Sequence, residues 1–301
     1  MRVAIVDLGT NSTRLLVADV AHRELREVER LLEITRLGEG VDASGSLHAG
    51  AVDRVLDCLD GYAGRADALG AERRVAVATS AVRDATNRDE LLEPIARLGF
   101  APQVLSGREE AALTFAGVAS DLSTAGAVGV VDVGGGSSEV ALARDGVVHW
   151  SRSYAAGCVR MAERHLGGGA VRAEALARCR ADLDSILAGL AEAVAQPLSL
   201  GVAVAGTATT AAAIDLRCDP YDAERIHGHR LSRRTIADQL RLLAPLDVAA
   251  RIRVPGVAPD RAPVIVAGLS VLEAVLDRLD LEEIIVSERD ILHGAALRAA
   301  A

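Results

Sequence analysis

The sequence predicts an α/β protein built from two duplicated domains, each a mixed sheet flanked by helices, with a cleft between them. Three observations carry this. First, VAIVDLGTNSTRLLVA at 3–18 is matched without a gap by VGVVDVGGGSSEVALA at 128–143; Val3, Val6, Asp7, Gly9, Ser12 and Ala18 each meet the same residue type 125 positions later. Each copy is an apolar run, an Asp, a Gly-containing polar turn and a second apolar run, which is the pattern of a β-hairpin. Second, each hairpin is followed by single strand-like runs alternating with helical periodicity, the signature of βα units. Third, the chain has 301 residues and is half apolar, enough for two ordinary cores. Two hairpin tips rich in N–H groups and hydroxyls point to a phosphorylated ligand held between the halves.

Taken in order, apolar runs of strand character fall at 2–7, 14–20, 25–34, 73–79, 101–105, 127–132, 138–143, 146–153, 201–206 and 283–287. Helical spacing of apolar residues fits 47–69, 87–98, 107–120, 157–166, 171–195, 231–244 and 262–279. The first domain is expected over 1–120 and the second over 121–301, joined by the helical segment 107–120. No Pro- or Ser-rich linker separates them, so a hinge is expected there. The stretch 288–300 reads as a helix that packs back on the first domain.

Composition narrows the function. The net charge of −9 argues against a protein-wide field for nucleic acid, and 2% aromatics leave little for base stacking. All 33 Lys+Arg residues are arginine, a bias that reflects genome composition, although arginine also suits bidentate phosphate contacts. Cys58, Cys158, Cys179 and Cys218 form no Cys-x-x-Cys pair and read as buried thiols of a reducing compartment. The first residues enter a strand with no basic-then-apolar leader, and stretches such as 202–214 and 262–272 are too short to span a bilayer. A cytoplasmic protein with no membrane partner is expected. A homodimer is the default for such a chain.

The second hairpin, Asp132 to Glu139, is the strongest chemical signal. Gly134, Gly135 and Gly136 let the backbone approach an anion, and Ser137 and Ser138 add hydroxyls. Asp132 and Glu139 would repel phosphate unless a divalent cation intervenes; Mg²⁺, or Mn²⁺ in its place, suits these oxygen ligands. On the first hairpin Gly9, Thr10, Asn11, Ser12 and Arg14 supply donors for the same phosphate. Asp7 is either a further metal ligand or a turn-former capping its own loop. At 106–110, Ser106 and Glu109 form a capping box, which leaves Glu110 either as a general base or as a solvated acid at a helix start. Arg83, after a strand, is a phosphate contact or a surface arginine. Thr207, in Gly206-Thr207, is an anion contact at a helix start or an ordinary cap. Residues 225–234 carry four Arg and two His without an acid, a local positive patch suited to phosphate contacts or solubility.

These residues resemble a known family. DLGTNSTRLLV, TSAVRDATN, LSGREEA, VVDVGGGSSEV, VAGTATT and IHGHRLS occur in the order and spacing of the exopolyphosphatase / guanosine-pentaphosphate phosphohydrolase family. The resemblance spans nearly the whole chain. It implies the duplicated actin / sugar-kinase-like (ribonuclease H-like) fold and metal-dependent hydrolysis of a terminal phosphoanhydride by water activated by a glutamate. The family's catalytic glutamate is the second Glu of GxEEA, 22 residues before the Asp of the GGG hairpin; here that is Glu110, with Asp132 as the Asp. Longer bacterial relatives continue for another helical region. This chain looks like a short, two-domain actinobacterial-type form, which makes short-chain polyphosphate the more plausible substrate.

The leading expectation is therefore an exopolyphosphatase acting on short inorganic polyphosphate. The alternative is hydrolysis of guanosine pentaphosphate in the same cleft, although few aromatics are available to stack guanine. A sugar-kinase-like phosphotransferase is separated by its need for an acceptor, and a non-hydrolytic alarmone or polyphosphate sensor by the absence of released phosphate.

Overall fold

The computed structural model describes every residue except 23 and 168. The chain folds as two units, Met1–Leu122 with Arg289–Ala301, and Ser123–Glu288. In the first unit β1 (Arg2–Leu8), β2 (Thr13–Ala21), β3 (Glu24–Glu33), β4 (Arg73–Ala78) and β5 (Ala101–Val104) form one sheet in the order β3-β2-β1-β4-β5. The first three strands are an antiparallel meander, while β1, β4 and β5 run parallel. Parallel neighbours need a crossover, which the helices Ala49–Ala68 and Asp89–Arg97 supply.

Alternate side chains of β1 serve opposite faces. Ala4, Val6 and Leu8 pack with Val55, Leu59, Leu91 and Ile95 of those two helices. Val3 and Ile5 pack with Leu113, Leu292, Ala295 and Ala296 on the other face. A strand buried on both sides must be apolar throughout, hence the unbroken run at 3–6. The second face is covered by the helices Gly107–Ala119 and Ile291–Ala299. A Cβ at Gly117 would overlap the Asp290 carbonyl, and one at Gly294 the Leu113 carbonyl, so these two glycines let the helices meet backbone to backbone.

In the second unit β6 (Ala127–Val133), β7 (Ser138–Arg144), β8 (Val147–Tyr154), β9 (Leu200–Val204), β10 (Arg230–Ser232) and β11 (Glu283–Val286) are ordered β10-β11-β9-β6-β7-β8. The meander β6-β7-β8 is again antiparallel, and β6, β9 and β11 are parallel. The helix Ile265–Leu279 runs through the core, with Leu269, Val271, Leu272, Val275 and Leu276 fully buried. Each such side chain contributes about 1.5–3 kcal/mol on burial.

The two mixed sheets flanked by helices are the expected architecture, and the repeat extends to fine detail. Val3 pairs with Ala18 and Val128 with Ala143; Asp7 lies opposite Arg14 and Asp132 opposite Glu139. Even the register shift between Val17 and Ala18 recurs between Leu142 and Ala143.

Three local expectations differ from the structure. The helix expected over 171–195 stops at Ile186 and resumes as Leu190–Ala193, because Gly189 adopts a left-handed φ of 83°. The strand expected over 201–206 ends at Val204; Ala205, at φ 66°, turns the chain straight into the helix Ala205–Asp215. The basic segment holds β10, an edge strand too short to leave an alternating pattern. Among the described residues no helix is long and apolar enough to cross a membrane.

Candidate active site

The first hairpin tip closes with Gly9 N–H donating to the Ser12 carbonyl at 3.0 Å; its counterpart closes with Gly134 N–H to Ser137 at 3.1 Å. Thr10, Asn11 and Ser12 are all buried in the first tip. The Thr10 hydroxyl shares a hydrogen bond with Ser80 at 3.2 Å. Asn11 Nδ2 and Asp7 Oδ1 are buried and find no hydrogen-bond partner among the described residues. An unsatisfied buried polar atom costs about 1–3 kcal/mol, and such atoms mark places where a water, ion or ligand completes the site.

Because Asp7 and Arg14 are register partners, they share one face, the face covered by the helix Ile291–Ala299. Arg14 Nη2 and Nε donate to Asp7 Oδ2 at 2.7 and 3.0 Å, and Nη1 pairs with Asp290 Oδ2. Burial pushes the Asp7 carboxyl above its ordinary range, against the pull of Arg14. Burial acts the same way on Asp290, but Arg14 and the His293 hydrogen bond overcome it and hold that carboxyl well below the ordinary range. Arg14, expected as a phosphate donor, thus gives its guanidinium to two buried carboxylates. Asp290 was not singled out from the sequence. The available signal was Asp-x-x-His ahead of an apolar run, which here forms a capping box.

On the second hairpin the glycine carbonyls are tied down by the next segment. Cys158 N–H donates to Gly134 at 2.9 Å, Val159 N–H to Gly135 at 2.8 Å and Arg160 Nε to Gly136 at 2.6 Å. A Cβ at Gly157 would overlap the Gly135 carbonyl, so that glycine permits the approach. Fixing the carbonyls on one side orients the peptide planes that carry the loop's N–H groups. Ser138 is fully buried and donates to the Ala156 carbonyl, so its hydroxyl is a brace between strands; Ser137 remains in the turn itself. Asp132 and Glu139 are buried register partners on one face, and Glu139 accepts from the Ser153 hydroxyl at 2.6 Å.

The helix Gly107–Ala119 starts with the expected capping box. The Ser106 side chain accepts from Glu109 N–H, and Glu109 Oε2 accepts from Ser106 N–H at 2.8 Å. The next residue, Glu110, turns inward and is 6% exposed. Arg83 Nη1 donates to Glu110 Oε2 and to the Leu105 carbonyl, both at 2.9 Å. Two residues read separately from the sequence therefore meet: Arg83 fixes the rotamer of the candidate base.

A sequence model of the Ppx/GppA phosphatase family matches residues 16–300. The chain belongs to this family of phosphatases. Exopolyphosphatase 2 of Mycobacterium tuberculosis is 38% identical over 319 aligned positions, covering 99% of this chain and 98% of that protein. The crystal structure of an exopolyphosphatase-like protein, 30% identical, superposes with a TM-score of 0.91 over 99% of this chain and 98% of the other. The Aquifex aeolicus Ppx/GppA family member, also 30% identical, gives 0.84 over 100% and 97%.

In this Ppx/GppA chain Thr207 does not cap its own helix; its hydroxyl donates to the Val133 carbonyl at 3.3 Å and braces the second hairpin. The basic segment is not an open positive patch. His229 pairs with Asp215 at 2.8 Å, Arg230 with Glu283 at 2.5 Å and Arg233 with Asp277 at 2.8 Å, acids remote in sequence.

Among the described residues no three His, Cys, Asp or Glu side chains cluster as a ligand set. Asp132 and Glu139 nonetheless fit a hard divalent cation. They offer oxygen donors from one face of a rigid ladder, and Mg²⁺ commonly takes one or two carboxylates and completes its shell with water and phosphate oxygens.

Proposed function

We propose that this Ppx/GppA enzyme is an exopolyphosphatase that removes the terminal phosphate from inorganic polyphosphate, short chains above all. The observation that carries the reading is Glu110, a buried carboxylate beside the capping glutamate and held by Arg83. Full-length similarity to an exopolyphosphatase supports the substrate class.

Glu110 accepts a proton from the attacking water as its oxygen bonds to the terminal phosphorus. The bridging P–O bond breaks, giving orthophosphate and a chain one unit shorter. Positioning and charge neutralisation supply most of the rate, and the base adds roughly 10²–10⁴-fold. On the second hairpin the glycine-loop N–H groups and Ser137 are donors for phosphate oxygens, and on the first hairpin Gly9, Thr10, Asn11 and Ser12 are. Asp132 and Glu139 would hold Mg²⁺ or Mn²⁺, an ion that supplies neutralisation of phosphate charge.

The test is phosphate release from polyphosphates of defined length, from tripolyphosphate upward, by the parent protein and by Glu110→Gln. Loss of release in the variant with an unchanged fold is expected; full activity would remove Glu110 from the mechanism. Guanosine pentaphosphate measured on the same preparation ranks the two substrates, and faster turnover of the nucleotide would reverse the order proposed.

A further inference from the structure

The segment 34–40 was not singled out from the sequence, yet it lies along the first hairpin tip. Arg36 N–H donates to the Asn11 carbonyl at 3.0 Å and Gly38 N–H to the Thr10 carbonyl at 2.8 Å. A Cβ at Gly38 would overlap the Thr10 methyl group, so the loop and the tip are in direct contact. The loop is pinned on both sides of Arg36. Thr35 is buried and shares a hydrogen bond with Thr13 at 2.9 Å, its carbonyl accepts from Arg54 Nε at 2.9 Å, and Leu37 lies in the core.

Between these anchors Arg36 is exposed and sits at φ 50°, in the left-handed region. An L-residue there is strained, and glycine would relieve the strain. Its guanidinium makes no ion pair or hydrogen bond among the described residues, whereas Arg14, Arg65 and Arg230 each pair with a carboxylate. Arg36 is thus a cation whose backbone is held against the first hairpin tip while its side chain faces solvent. Beside it lies the second observation, the buried Asn11 amide whose Nδ2 lacks an acceptor.

We propose that Asn11 and Arg36 form a subsite for the non-terminal phosphates of an oligophosphate. The loop's backbone contact with Asn11 places both residues at one tip. Asn11 provides a short, fixed donor; Arg36 provides a long side chain whose planar fork matches two phosphate oxygens. A phosphate chain carries oxygens for the two donors on successive phosphates, which a lone orthophosphate lacks. The subsite rests on the exopolyphosphatase reading and adds to it a residue that discriminates a phosphate chain from a lone phosphate.

The experiment is calorimetric titration of tripolyphosphate and of orthophosphate, at fixed Mg²⁺, into Glu110→Gln protein with Arg36 kept or changed to Gly or Lys. Gly suits the left-handed backbone, so Arg36→Gly keeps the fold, which its Tm verifies. Removing a charge-assisted contact should raise the tripolyphosphate Kd roughly tenfold or more, leave orthophosphate within about twofold, and place Arg36→Lys between. An unchanged tripolyphosphate Kd in Arg36→Gly, or an equal loss for both ligands, overturns the subsite. In the Glu110-containing protein, turnover of polyphosphate with an unchanged KM in Arg36→Gly overturns the subsite alone. A parent protein that neither binds tripolyphosphate nor releases phosphate overturns the subsite together with the function.

Discussion

Replacing Asp290 by Asn removes one charge and little else. Asn caps a helix as well as Asp, so the bond from Leu292 N–H, 3.0 Å in the native protein, is retained. What is lost is the ion pair between Oδ2 and Arg14, whose side chains are 2% and 12% exposed. Removing one member of a buried pair typically costs about 3–5 kcal/mol, because the other charge is left without its partner. Arg14 keeps Asp7 at 2.7 Å, so the lower end, about 3 kcal/mol, applies. Released locally, that is roughly a hundredfold increase in the opening of the helix Ile291–Ala299.

Amide hydrogen exchange is the assay, since a protein of two units need not unfold in one step. The pH dependence follows from the sign of the shift. The folded carboxyl lies below its unfolded value, so its stabilisation is fully present above about pH 4 and is lost as the pH falls below that. Parent and Asp290→Asn should therefore differ most at neutral pH and converge in acid. Equal protection of the helix at pH 7 would refute the argument and show that desolvation cancels the attraction.

Glu109→Ala and Glu110→Gln should separate two adjacent acids. The first loses half of a capping box, about 0.5–2 kcal/mol of stability, and keeps turnover within a few-fold, as thermal unfolding and phosphate release would record. A Glu109→Ala variant as inactive as Glu110→Gln would undo the division of roles. Gly157→Ala places a methyl group on the Gly135 carbonyl. The glycine loop must move, so binding of tripolyphosphate should weaken at least tenfold, with a loss of stability of about 1–3 kcal/mol. Unaltered affinity would mean that the loop's exact placement is immaterial to the ligand.

The local features were readable because their causes are local. The duplicated hairpins are visible in a 125-residue offset of apolar residues, Asp and Gly, and the ladder registers repeat that offset pair by pair. The capping box at 106–109 involves a single turn of helix, and residue identity alone assigns it. Gly189 and Ala205 were harder, because a left-handed residue inside an apolar pattern leaves the periodicity almost intact.

Charge pairing was not readable. Arg14 looked like a phosphate donor until Asp290, 276 residues away, was found to share its guanidinium. The basic run at 225–234 looked like a patch until the acids of distant elements neutralised it. Ser138 and Thr207 carried donors whose acceptors are backbone carbonyls brought near by packing. The sequence by itself determined the repeat, the mixed sheets and the residue types at the two tips, since backbone sterics and side-chain period act over a few residues. Only the tertiary structure decided which charges are already paired and which donors are left for a ligand, because electrostatic partners are chosen by distance in space and by burial, and neither is written along the chain.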